Sequence, residues 1–141
     1  MRPKYETDRD LQIESEIAGR AAARWGYNVA KLNPAAYRID FVFYHRFSGR
    51  IRAACEVKRR YCDSGSYDTF MISASKIHAG MLFEPGAPFI LLVGWDDLTG
   101  WIRPAKHTYT LGMSGRSDRG DEYDLEPVYY FQINEFTMLS K

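Results

Sequence analysis

Apolar and polar positions along this chain of 141 residues follow a helical period first, then a strand period, then mixtures of the two. From Asp8 or Asp10 to Trp25, the residues Leu11, Ile17, Ala18, Ala21 and Trp25 fall on or near one helical face. An aspartate can cap that helix, and Gly26 suits its end. Residues 27–32 fit a short strand stopped by Asn33-Pro34. Residues 38–47 and 51–59 are β-rich runs around Ser48-Gly49-Arg50, which is the pattern of a hairpin. A polar loop over 60–66 leads to a second helix over 73–83, closed by Pro85-Gly86. Residues 89–95 are apolar without alternation, as in a strand covered on both faces. A turn over 96–100 precedes a short strand at 101–103, and 111–126 reads as a polar loop. Residues 127–133 read as a last strand, followed by a short helix over 135–139 that Asn134 can cap. This order predicts an α/β fold, a mixed sheet flanked by helices, in a single domain over 1–141.

Composition adds limits. Hydrophobic residues at 45% and charged residues at 26% are the balance of a soluble globular protein. No apolar run approaches a membrane span, and the charged N-terminus lacks a secretory pattern, so a cytoplasmic setting is the expectation. Cys55 and Cys62 have neither Cys-x-x-Cys spacing nor a flanking histidine pair, so neither a zinc cluster nor a disulfide framework is indicated. His45, His78 and His107 share no ligand spacing, and no P-loop, nucleophile elbow or His-Glu-x-x-His is present. Net charge is only +1, but its distribution is uneven. Arg46, Arg50, Arg52, Lys58, Arg59 and Arg60 crowd into one segment, whereas Asp118, Asp121, Glu122, Asp124 and Glu126 gather near the C-terminal end. The basic segment suits either a phosphate backbone or a solvated hairpin surface.

The hairpin carries the chemistry. Side chains alternate across a strand, so Glu56 and Lys58 share a face opposite to Cys55 and Val57. If Ile39, Phe41 and Phe43 cover the same side as Ala53, Cys55 and Val57, then Asp40, Glu56 and Lys58 must share the other. This demands a particular register. A regular two-residue turn at Ser48-Gly49 would put Asp40 opposite Val57, on the wrong face. An odd-length loop or a β-bulge pairs even positions with even, and one of these is expected. Two carboxylates and an ammonium would then converge, a set suited to a hard divalent cation beside a phosphodiester. A surface ion-pair cluster is the plainer alternative. Glu56-Val57-Lys58 alone is weak evidence, because an acid-x-Lys triplet arises about once by chance in such a chain.

In these residues the sequence resembles the PD-(D/E)XK nuclease superfamily. The resemblance spans residues 10–101: Glu16 on the first helix, Ile39-Asp40-Phe41, Cys55-Glu56-Val57-Lys58, and Ser75-Lys76 on the helix before 89–95. It implies a restriction-endonuclease-like αβββαβ core. In size the chain is most similar to archaeal Holliday-junction resolvases and phage-type stand-alone nucleases. By that resemblance Asp40 and Glu56 would ligate Mg²⁺, with Mn²⁺ as a substitute, and Lys58 would assist the attacking water. Glu16 would lie beside the metal, with Glu14 as its rival, and Lys76, Arg59 and Arg60 would meet substrate phosphate. Ile39 stands where the family often has proline. The implied activity is a Mg²⁺-dependent endodeoxyribonuclease acting on DNA, with branched or recombination DNA as one substrate class and a homodimer as one assembly. The competing expectations are a silent module that binds nucleic acid or protein, and a structural domain whose triad diverges in space.

Overall fold

A computed structural model describes residues 8–114 and 125–139. Helix α1 (Asp8–Trp25) is followed by β1 (Asn28–Lys31), a single helical turn α2 (Pro34–Tyr37), β2 (Phe41–Tyr44) and β3 (Ile51–Arg59). Next come β4 (Thr69–Ser73), α3 (Ala74–Met81), β5 (Phe89–Gly94), β6 (Thr99–Ile102), β7 (Thr110–Ser114), β8 (Glu126–Gln132) and β9 (Thr137–Leu139). Six strands form a mixed sheet in the order β1-β2-β3-β5-β6-β9, and β4-β8-β7 form a smaller one. Strands β1, β2 and β3 pair antiparallel. The chain then crosses through α3, so β5 lies parallel to β3. This is the αβββαβ core expected from the sequence.

Each face of the large sheet has its own cover. On one, Ile17, Ala18, Ala21 and Ala22 of α1 pack on Phe41, Phe43, Cys55, Val57, Ile90 and Leu92. On the other, Ala54, Leu91 and Val93 meet Ile77 of α3 and Phe70, Ile72 and Phe131 of the small sheet. All of β5 is buried, as its unbroken apolar run requires. Helix α3 approaches β5 closely at Gly80, where a Cβ would fall 2.2 Å from the Phe89 ring.

Several elements depart from the sequence-based expectation. Strand β7 begins where a loop was expected and β4 forms where the sequence pattern assigned no element, because pairing with β8 satisfies their backbone groups. Residues 137–139 are a strand and not a helix, since the exposed side of β6 offers a ladder that β9 completes. The run 38–47 is a strand only over Phe41–Tyr44, and Arg38 lies in the left-handed region at φ 59°. This break carries Ile39 into the α3-side core, away from Phe41 and Phe43, contrary to the expected shared face. Within the expected loop 111–126, residues 115–124, including Asp118, Asp121, Glu122 and Asp124, lie outside the described residues.

Candidate active site

The register of the hairpin decides the site. Phe41, Val42 and Phe43 pair with Cys55, Ala54 and Ala53, but Tyr44 pairs with Ile51, so one extra residue, Arg52, sits in a bulge between Phe43 and Tyr44. Without it, every position of β2 would face a neighbour one residue earlier on β3. With it, continuation of the ladder sets Asp40 against Glu56, the even-with-even pairing that the site needs.

Asp40 precedes β2, where its backbone carbonyl accepts from Leu32 N and its Oδ2 accepts from Val57 N at 3.2 Å. Asp40 is 6% exposed and Glu56 1%. Around them stand three ammonium groups. Lys58 Nζ is 3.6 Å from Glu56 Oε2, Lys76 Nζ is 3.8 Å from Glu56 Oε1, and Lys31 Nζ is 3.5 Å from Asp40 Oδ1. Lys76 also donates to the carbonyl of Arg38 at 3.3 Å, so the left-handed turn before Asp40 is braced by α3. Burial pushes the Glu56 carboxyl well above the usual range and the adjacent Asp40 charge adds to this, while Lys58 and Lys76 pull it back. The same burial, with Glu56 and Asp40 nearby, raises the Cys55 thiol.

Asp40, Glu56, Lys58 and Lys76 therefore come together, but Glu16, Arg59 and Arg60 make their contacts elsewhere. Glu16 is exposed and accepts a 3.5 Å hydrogen bond from Gln12. Glu14 is the buried acid of α1, on the stripe Glu14, Ile17, Ala18, Ala21 and Ala22. Its charge acts on Arg60, opposing the downward push that burial exerts on that guanidinium. The helix phase thus favours the rival position. The spacing i, i+3, i+4, i+7, i+8 was present in the sequence, and only the short polar start of α1 obscured it. Arg59 has odd parity on β3 and lines a cavity on the α1 side with Glu16 and Arg20. There it donates to the carbonyls of Arg60 and Gly94 and pairs with Asp96 at 2.6 Å. Arg60 lies on the Glu56 side, with its guanidinium over the Phe70 ring at 4.7 Å and donating to Met71 O. Lys31 was not singled out from the sequence. Its signal was the β1–β2 pairing, which sets it opposite Phe41, next to Asp40.

The donor set suits a divalent cation. Glu56 Oε1 is buried with no hydrogen-bond partner, beside a second carboxylate that repels it. Among the described residues no group of three or more His, Cys, Asp and Glu converges. Mg²⁺ is commonly held by one or two carboxylates together with waters and phosphate oxygens.

A family model described as "Phage putative PDDEXK endonuclease" matches residues 1–139. The chain belongs to this family. It is thus a PD-(D/E)XK nuclease-family protein, as its motif order implied. A search of curated proteins gives no match. Among solved structures, the fold is similar to that of Hjc, a Holliday junction resolvase from the archaeal hyperthermophile Archaeoglobus fulgidus. The TM-score is 0.55 at 12% identity, over 86% of this chain and 89% of that one. In this nuclease-family domain no helix among the described residues is long and apolar enough to cross a membrane.

Proposed function

We propose that this protein is a Mg²⁺-dependent endodeoxyribonuclease that hydrolyses phosphodiester bonds of DNA. The observation that carries the reading is the pair of buried carboxylates, Asp40 and Glu56, with an orphaned Glu56 Oε1 and lysines on both sides. A structural ion pair does not require two adjacent buried acids, and burying them is costly unless a cation compensates. Asp40 and Glu56 would hold the ion. A divalent cation bound there would polarise the phosphoryl oxygen and lower the pKa of a water.

The protein's own groups account for the rest. In hydrolysis a water oxygen bonds to phosphorus, the P–O ester bond breaks, the water loses a proton and the departing oxygen gains one. Lys58 orients the water and balances charge as that proton leaves. Lys76, near both Glu56 and the Arg38 carbonyl, meets a phosphate oxygen. Branched DNA is the first substrate to try, because the fold neighbour named above is a Holliday junction resolvase.

The test uses supercoiled, linear, single-stranded and four-way-junction DNA with Mg²⁺, Mn²⁺ or EDTA. Wild-type protein should cut at least one of these only with a metal, and Asp40→Ala or Lys58→Ala should lower the rate by about 10²–10⁴-fold. Cutting in EDTA, or cutting that survives either substitution, would remove the assignment.

A further inference from the structure

The β2–β3 hairpin ends in a feature that the carboxylate site does not use. Phe47, at its tip, is 92% exposed. Arg46 and Arg50 flank it in the turn and are also exposed, and neither makes an ion pair among the described residues. No acidic residue occurs from 41 to 55, so the tip is a compact cationic knob with an aromatic centre.

This tip is held in shape. His45 N donates to Arg50 O at 2.9 Å, and Gly49, at φ 71°, donates from its N to His45 O at 3.0 Å. The backbone N–H groups of Phe47 and Ser48 both donate to His45 Nδ1, at 3.3 and 3.1 Å, so this one ring nitrogen ties two turn amides together. Ser48 Oγ accepts from Arg50 N at 3.2 Å. The imidazole also meets the Phe47 ring edge-on, at 5.9 Å between centroids. These bonds organise a turn whose largest side chain is left in water, where it contributes nothing to the core. Preorganisation of that kind lowers the entropic cost of binding a partner.

We propose that this hairpin tip is a DNA wedge, in which Phe47 stacks on a base of the duplex while Arg46 and Arg50 hold the flanking phosphates. The proposal rests on the nuclease reading for its ligand and supplies that reading with a second contact. The argument for DNA is complementarity, since two cations with no ion pair among the described residues match a polyanion and an exposed ring matches the base stack. Strand geometry puts the tip roughly 15–20 Å from Asp40. That is about five base pairs along a duplex with its scissile phosphate at the carboxylates. A wedge there would favour DNA that is already kinked or unpaired near the cut, because unstacking costs least in such DNA.

The experiment measures binding of the full chain to a labelled duplex in EDTA and in Ca²⁺, apart from cleavage. Phe47→Ala should weaken binding about ten-fold with an unchanged melting temperature. Phe47→Trp should keep wild-type affinity, and its emission above the background of Trp25, Trp95 and Trp101 should be quenched by the duplex. Arg46→Ala and Arg50→Ala should each reduce the salt dependence of binding by about one released ion. If Phe47→Ala binds DNA as tightly as wild type, or the Phe47→Trp emission is unmoved at saturating DNA, the wedge is refuted, which is also the result expected if Phe47 anchors a protein partner. Cleavage by wild type with normal binding by Phe47→Ala would sink the wedge alone. Quenching without cleavage of any substrate would sink the nuclease reading alone.

Discussion

Replacing Glu56 by glutamine should make the protein more stable at neutral pH. The side chain is 1% exposed, its Oε1 has no hydrogen-bond partner, and its charge is opposed first by burial and then by Asp40. Lys58 at 3.6 Å and Lys76 at 3.8 Å recover only part of that cost, since the net shift of the carboxyl is upward. A carboxyl raised in the folded state contributes full stability below its unfolded pKa and loses it as pH rises through the folded value. The greatest cost at pH 7 is that of keeping the group protonated while the unfolded chain ionises, at most about 4 kcal/mol. Glutamine removes that cost but loses the lysine contacts, leaving a gain of about 1–3 kcal/mol. With an unfolding entropy of about 0.3 kcal/mol/K for a chain of this length, the melting temperature should rise by roughly 3–10 °C. Differential scanning calorimetry from pH 4 to pH 8 measures it. The gain should be near zero at pH 4 and grow with pH, and Mg²⁺ should raise the melting temperature of wild type but not of the variant. A variant no more stable than wild type at pH 7, or equally stabilised at pH 4 and pH 7, would refute the reasoning.

Glu14→Gln should reduce cleavage by about ten-fold or more, whereas Glu16→Gln should leave the rate within about two-fold. Steady-state rates on one DNA substrate compare the buried acid with the exposed one. Gly80→Ala should destabilise the fold by about 1–3 kcal/mol despite the better helix propensity of alanine, because the new Cβ meets the Phe89 ring at 2.2 Å; urea unfolding reads this out. Glu84 accepts two hydrogen bonds from Arg103, at 2.7 and 3.0 Å, and one from Phe89 N, and these hold its carboxyl below the usual range. Its stabilisation is therefore present above the unfolded glutamate pKa and lost as pH falls through the lower folded value. Glu84→Gln should accordingly cost about 1–3 kcal/mol at pH 7 and progressively less toward pH 3 in the same unfolding assay.

The nuclease motif could be read from the chain because its parts are local. The alternation of β3 alone sets Glu56 and Lys58 on one face, and the apolar run at 89–95 marks a strand buried on both sides. Parity arithmetic also showed that the hairpin must carry an odd loop or a bulge, and the bulge at Arg52 meets that demand. Helix phase was equally present in the spacing of Glu14, Ile17, Ala18, Ala21 and Ala22, although the family resemblance points to Glu16.

What the chain could not reveal depends on partners distant in sequence. Strands β4, β7 and β9 have too little pattern of their own and become strands because β8 and β6 present unpaired backbone edges to them. Lys31 reaches Asp40, and Lys76 reaches both Glu56 and the Arg38 carbonyl, only after β1 and α3 have packed beside β2 and β3. The turn at Arg38 that sends Ile39 to the α3-side core is likewise a tertiary outcome. Periodicity determined which face each strand residue takes, because it follows from backbone stereochemistry. The cost of burying two acids, and the cations gathered to offset it, arose only when the sheet closed under α3 and excluded water.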